Sequence, residues 1–539
     1  MDRAEDRVDT LTGDVVDRRN PAYEAARMDF NRRIQRFPLY VVFCASGHDV
    51  RDAVLWSRAH GVPLRVRSGR HSYEDYSVLD HGVVIDVSAL NAVELDAARR
   101  TAHIGAGANL GQIYDALWDQ GRVTIPGGGC TGVGIAGLAL GGGFGFLARP
   151  FGLTCDSMEA LEMVDARGRV VVADARQNED LFWGSRGGGG GNFGAVTRFT
   201  FRVQPIDNVT VFSIVWPWDA IRPVFAAWQA WADPDTLDPR LTPILILPAK
   251  SAGYINAIGE FVGPFAELDR LIQPLLRAAP PSDLQIVYEP YIDAVHRFVG
   301  SASGGAAPQG GGGLAADAPQ SGGGSAPDAP QSGAVRLTSP AVRLTSRAVR
   351  LTSPGGSAPD APQGGAVRLT SRAVRLTSPL HRWAADRPAD PALDKFKNTS
   401  AFQFHPFDGR AVDVMLAELE RSPSPNTEVQ FNLHGGAEAR VPPHATAYPW
   451  RGARYSLQYQ AYWSDPAEGP ALIRWVEGFR RALLPWTRGA YVNYIDGDIA
   501  DWPTAYYDAN VARLVAVKRR YDPDNVFDFP QGIGRIRLP

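Results

Sequence analysis

The sequence predicts an α+β protein of two domains, and three observations carry that prediction. Strand-like and helix-like periodicities alternate from Met1 to about Ile206, as in a mixed α/β domain. From Asp207 to Gly489 the alternation gives way to Trp-rich and Pro-rich segments between amphipathic stretches, which read as an antiparallel sheet covered by helices. The length, 539 residues, suits two or three globular units.

In chain order, Leu39 to Phe43 is a short apolar run that reads as a strand, followed by a helical pattern through Val50 and Val54 with Asp49 as its cap. Leu64 and Val66 alternate with arginines, as a half-buried strand does. Gly82 to Ser88 and Thr101 to Gly107 read as further strands. Asn109 caps a helix whose Leu110, Ile113, Tyr114 and Leu117 share one face, ending at Gly121. In the second domain Glu428 to Leu433 and Tyr455 to Trp463 read as strands.

Residues 301–379 break the pattern. They consist largely of Gly, Ala, Pro, Ser and Gln, with AVRLTS starting at Ala334, Ala341, Ala348, Ala366 and Ala373, and DAPQ starting at Asp317, Asp328 and Asp360. Val and Leu stand two apart in each repeat and proline recurs, so the seven-residue period is not a coiled-coil heptad. This composition predicts a disordered insert.

Three glycine-rich stretches suggest close backbone approach to a phosphate or a ring. Gly105, Gly107 and Gly111 follow a strand and open a helix, but their spacing is one residue too long for a dinucleotide fingerprint, and no acidic residue follows at the usual distance. The second stretch is PGGGCTGVGIAGLALGGGFG, Pro126 to Gly145, and the third is RGGGGGNFG, Arg186 to Gly194.

Here the sequence resembles the berberine bridge enzyme-like flavoproteins of the vanillyl-alcohol oxidase superfamily. The segment RSGRHSYEDYS, Arg67 to Ser77, looks like that family's histidine loop, and GGGCTGVGIAGLALGGGFG like its cysteine loop. GLTCDS, then LFWGSRGGGGGNFGAVT, and finally NYIDGDIADW with YYDANVARLVAVKRRYDPDNVF follow in the family's order. The resemblance implies a PCMH-type FAD-binding domain over residues 1–206, a substrate domain over 207–489, and a C-terminal segment, 490–539, returning to the first. It implies one FAD bound covalently through His71 and Cys130. Its other expected cofactor contacts are Arg67, Ser68, Gly69, Arg70 and Ser72 in the first loop; Gly128, Gly129, Val133, Gly134, Gly137, Gly141, Gly142 and Gly143 in the second; and Asn493. The chain departs from the pattern at Arg70, often glycine, and at Phe144, where some members carry histidine. Val133 matches the position where valine accompanies oxygen reactivity.

The implied activity is an oxidase acting on a hydroxyl-bearing carbon of a sugar or secondary metabolite, with O2 reduced to H2O2. Oxidative cyclisation or desaturation by the same flavin, and a flavin-retaining binding protein without turnover, are the alternatives. Such an oxidation needs a base for the hydroxyl proton. Tyr494 is favoured and Tyr491 held as backup, on opposite faces of an expected strand, Tyr491 to Ile495. Gln458 and Asn432 assist from the second domain, with His434 next in line.

Composition limits the partners. The formal net charge is -3, which argues against nucleic acid. No run of about eighteen apolar residues predicts a membrane span. No secretory signal is visible, and the three cysteines, Cys44, Cys130 and Cys155, suit a reducing, cytoplasmic compartment.

Overall fold

The computed structural model describes residues 11–300, 335–337 and 393–538, and in them the β-rich runs of the sequence form three main sheets. The first holds β1 (Asp14–Val16), β2 (Tyr40–Phe43), β3 (Leu64–Arg67) and β4 (Val83–Asp86), in the order β1-β2-β4-β3. Its last three strands are parallel, which requires a crossover, and α1 (Gly47–His60) supplies it between β2 and β3. Asp49 is not the cap of α1. Ser46 is, and Asp49 reaches back to the Ser46 N–H as the second half of a capping box.

The alternation expected of β3 also fails. Arg67, meant to face solvent, is 1% exposed, because Asp29 and Asp86 wait for it in the interior.

The second sheet is antiparallel. It holds β5 (Val93–Asp96), β6 (Thr101–Gly105), β7 (Met158–Val164), β8 (Val170–Asp174) and β9 (Ala195–Arg202), ordered β5-β6-β9-β7-β8. Helix α2 (Leu110–Gly121) packs beside it, capped by Asn109 as expected, with Leu110, Ile113, Tyr114 and Leu117 buried.

The third sheet has nine strands, all antiparallel: β10 (Asn208–Pro217), β11 (Leu241–Pro248), β12 (Tyr254–Phe261), β13 (Asp283–Pro290), β14 (Val335–Leu337), β15 (Lys395–Gln403), β16 (Thr427–Leu433), β17 (Tyr455–Trp463) and β18 (Thr487–Arg488). Their order is β14-β13-β10-β12-β11-β16-β17-β15-β18. Both faces are buried, and the period of two sorts the side chains between them. Phe212, Ile214 and Trp216 enter a core shared with the covering helices, while Val209 and Val211 join the core of the first domain. Leu245 and Leu247 divide from Ile244 and Ile246 in the same way. The second face is the one that meets the site.

Most of the 301–379 insert lies outside the described residues. The exception corrects the reading that none of it joins a fold. Val335–Leu337, from the first AVRLTS repeat, pairs antiparallel with Leu284–Ile286 at the sheet edge. An extended segment with Val and Leu two apart, on one face, is enough to extend a ladder whose neighbour offers free backbone groups.

After Gly489 the chain runs back over the first two sheets. Phe527 bridges to Leu64, and buried Lys518 donates to the carbonyls of Asn192 and Phe527 and to Asp522. Among the described residues no helix is long and apolar enough to cross a membrane.

Candidate active site

Strand β3 ends at Arg67, and the loop it launches is held from below. Arg67 binds Asp86 at 2.7 Å, Asp29 at 3.2 Å and the Ala26 carbonyl at 2.6 Å. Its guanidinium is thereby used inside the protein and does not line the cleft, so its expected cofactor contact is replaced by the support of the loop. Ser68 Oγ donates to the Ala106 carbonyl, 2.7 Å, and Ser72 Oγ accepts from the Tyr76 N–H, 2.9 Å. Arg70 takes the left-handed conformation, φ 62°, where glycine is the unstrained choice. Its side chain is held by the Ala25 carbonyl at 3.1 Å and Asp86 at 3.5 Å. His71 stacks on Phe30, with centroids 4.5 Å apart.

The cysteine loop is pinned by the N-terminus of α2, whose free N–H groups reach it: Leu110 donates to Val133 O and Gly111 to Thr131 O, each at 3.0 Å. The two loops then cross. A Cβ on Gly69 would stand 2.1 Å from the Gly134 nitrogen, and one on Gly134 would stand 2.4 Å from the Gly69 nitrogen. Only two glycines let the backbones come this close, and their contact brings His71 and Cys130 to one cleft. That cleft holds about 1870 Å³ of empty space, its open mouth included.

The far wall comes from the C-terminal segment and the third sheet. Tyr491 to Ile495 is not a strand. Val492–Tyr494 is a 3-10 turn, and its period of three places Tyr491 and Tyr494 on the same side. Their rings meet edge to face at 4.9 Å, and both line the cleft. The expected exclusion of one by the other is thus overturned. The Tyr491 oxygen accepts from the Gly143 N–H at 2.9 Å and from Asn493 Nδ2 at 2.8 Å. Burial pushes its hydroxyl above the ordinary phenol range, and these two donors pull it part of the way back. Tyr494 lies flat against Tyr73, with centroids 5.6 Å apart and planes 4° apart.

From the third sheet, Asn432 lines the cleft beside Ile244, its neighbour in register, and donates to Ser456 O at 3.4 Å. Gln458 is fully buried and does not line the cleft. It donates to Tyr73 Oη at 3.1 Å and so acts through that ring. His434 lies behind Phe144, edge-on at 5.1 Å, with Nδ1 on the Glu438 carboxylate.

The glycines divide by role. Gly128, Gly129, Gly134 and Gly137 line the cleft. Gly141, Gly142 and Gly143 do not. A Cβ on them would meet Asn493 at 2.0 Å, Tyr448 at 3.0 Å and Thr154 at 2.3 Å, so these positions are small to let those three side chains pack against the backbone. The stretch Gly105 and Gly107 approaches no ligand site either: a Cβ there would strike the carbonyls of Leu90 and Val87 at 2.1 and 1.9 Å.

Residues 38–174 match the family described as FAD binding domain, and residues 490–534 the family described as Berberine and berberine like. The chain is 36% identical over 531 residues to the uncharacterized FAD-linked oxidoreductase YgaK of Bacillus subtilis, with 98% of each chain covered. It belongs to the berberine bridge enzyme-like family of FAD-linked oxidoreductases. It is also 30% identical to the aclacinomycin-N/aclacinomycin-A oxidase of Streptomyces galilaeus, over 97% of this chain and 88% of that one. The structure of Physcomitrella patens BBE-like 1 superimposes with a TM-score of 0.78 at 26% identity, covering 99% of this chain and 100% of the other.

The cleft of this FAD-linked oxidoreductase fits its cofactor on geometry. No heavy atom lies within 4 Å of a Cβ built on Gly137, and at Gly129 and Gly190 the nearest stands 3.8 Å away. Protein packing does not require glycine there, whereas a dinucleotide lying against the backbone does. Two lining cations, Arg65 and Arg70, suit a pyrophosphate. Burial lowers Arg65 to about 10, which leaves it charged at neutral pH. Asp528 lines the same region but is held by Arg535 at 2.6 Å. Sequence reasoning missed Arg65 and Tyr73. Tyr73 lies inside the histidine motif and Arg65 two residues before it, and that placement was the available signal.

Proposed function

We propose that the chain is an oxidase whose FAD is joined to His71 and Cys130 and which oxidises a hydroxyl-bearing carbon of a sugar or secondary-metabolite substrate. The observation that carries this reading is the convergence of His71, Cys130, Tyr491, Tyr494 and Asn432 on one cleft. When bound, FAD supplies the hydride acceptor and passes the electron pair to O2, giving H2O2. The substrate loses that hydride from carbon and a proton from oxygen, and becomes a carbonyl.

Tyr494 takes the proton. Tyr491 is 2% exposed and its oxygen already accepts two N–H donors, whereas Tyr494 keeps more of its surface in the cleft. Asn432 orients the hydroxyl. The rings of Tyr73, Phe144 and Tyr494 offer flat apolar walls to a sugar face or an aromatic scaffold. The aclacinomycin oxidase relative supports both the oxidase chemistry and the natural-product class.

Denaturation with acid tests the attachment. Wild type, His71→Ala and Cys130→Ala are expected to keep yellow, flavin-bearing peptides, and the double variant to release FAD. Quantitative recovery of free FAD from wild type would reject covalent attachment. A peroxide-coupled screen of neutral sugars and glycosylated or aromatic alcohols tests the reaction.

A further inference from the structure

Between the loop that carries Tyr73 and the turn that carries Tyr494 lies a buried cation that the oxidation itself does not use. Lys397, in β15, is 1% exposed. Its Nζ lies 2.9 Å from Glu74, 2.6 Å from Asp496 and 2.6 Å from Asp498. An ammonium has three N–H donors, and all three are used. Glu74 follows Tyr73 directly, and Asp496 stands two residues after Tyr494.

The surroundings brace the same junction. Arg33 binds the other Glu74 oxygen at 2.8 Å. Asn31 donates to the Tyr73 carbonyl at 2.8 Å, and the Tyr73 ring packs edge-on against Phe396 at 5.2 Å. Tyr506 and Gln531 hold the backbone of Asp496 at 2.9 and 2.8 Å. Among the described residues, Glu477 and Tyr76 are further titratable groups that face the cluster.

We propose that Lys397 is a positioning residue for the proton-accepting tyrosine, its ammonium tying the Tyr73 loop to the Tyr494 turn and so fixing the stack between the two rings. This rests on the reading of Tyr494 given above. The physical case is one of charge balance. A buried ammonium costs several kcal/mol to desolvate and is tolerated only when its partners are complete. Burial lowers the Lys397 pKa, but attraction to Asp496 and Glu74 and the hydrogen bonds to Asp496 and Asp498 outweigh it, so the group is held charged. Remove the cation, and Glu74, Asp496 and Asp498 face one another with only Arg33, on Glu74, left to offset their repulsion. The cheapest relief is for the two segments to part, and Tyr73 moves off Tyr494 with them.

The test is a double-mutant cycle on anaerobic flavin reduction, using wild type, Lys397→Met, Tyr494→Phe and both together. Lys397→Met alone is expected to slow reduction roughly 10- to 100-fold, the effect of a small misplacement, with flavin content and half-saturating substrate near wild type. In the Tyr494→Phe background it should add little, because its effect acts through the missing hydroxyl. An equal loss in both backgrounds, or no loss in the first, overturns the proposal. If Tyr494→Phe alone reduces at the wild-type rate, the base assignment falls instead. The crystal structure of the Lys397→Met protein then decides the positioning claim: a stack kept at 5.6 Å and 4° refutes it, and an opened stack supports it. Should Lys397→Met not accumulate, Glu74→Gln and Asp496→Asn each weaken one arm of the tie and enter the same cycle with the same criteria.

Discussion

Removing one oxygen atom from each of two touching tyrosines should produce opposite phenotypes. In Tyr491→Phe the Gly143 N–H loses its acceptor in a buried position, at a cost of about 1–3 kcal/mol. Asn493 Nδ2 loses one acceptor but keeps the Leu138 carbonyl at 2.9 Å, which adds at most ~1 kcal/mol. The expected result is a stability loss of about 1–4 kcal/mol with flavin reduction within a few-fold of wild type. In Tyr494→Phe the half-buried ring keeps its stack on Tyr73, so stability changes little. Reduction should slow by roughly 10²–10⁴-fold, the usual share of a general base, and the limb of the pH profile that reports base ionisation should flatten. Stopped-flow reduction under anaerobic conditions and denaturant unfolding of the same preparations separate the two. Slow reduction in Tyr491→Phe together with unimpaired reduction in Tyr494→Phe would refute the assignment. If neither variant slows reduction, the proton goes elsewhere, and His434 is the next candidate.

Gly137→Ala should stabilise the short helix Ile135–Leu140 by about 0.5–1 kcal/mol while lowering flavin content, since the added methyl enters only ligand space; undiminished flavin content would show that the cofactor does not lie there. Glu260 is fully buried, and burial, with the Glu289 carboxylate second, raises it from 4.5 to about 8. It stays neutral in the fold while the unfolded chain ionises, so its support is intact below about pH 4.5, declines as pH rises, and is gone above about 8. Glu260→Gln should therefore flatten the decline in stability between about pH 4.5 and 8, and a variant as pH-sensitive as wild type contradicts this. Deleting residues 338–379 should leave flavin incorporation intact, because loop closure costs little per added residue. Extending the deletion to 301–379 also bares the β13 edge and should cause concentration-dependent association in light scattering; equal behaviour of the two deletions argues against the β14 pairing.

What the sequence made legible was local. The Asn109 cap and the face of α2 follow from four neighbouring residues, and the histidine and cysteine loops are read from contiguous motifs. What it hid depends on distant partners or on a change of period. Arg67 alternates with apolar residues as a solvent-facing side chain does, and only Asp29 and Asp86, remote in sequence, turn it inward. Tyr491 and Tyr494 were misplaced because a segment with strand-like composition closes into a single tight turn. Gly105 and Gly107 look like a phosphate loop, yet they serve the close passage of one backbone over another. Gln458 was expected to assist from the second domain, yet it reaches only Tyr73, which lines the cleft in its place.

The crossing of Gly69 over Gly134 has a kinetic consequence for maturation, on the reading that both links form. His71 is two residues from the crossing and Cys130 is four. At about 3.5 Å per residue, neither nucleophile can stray more than about 7 and 14 Å from that fixed point. Once FAD is bonded at either residue, the other meets it as an intramolecular reactant at an effective concentration in the millimolar range or above. The first bond should therefore set the rate of the second. Singly tethered protein would be a brief intermediate in wild type and a stable product only when one nucleophile is removed.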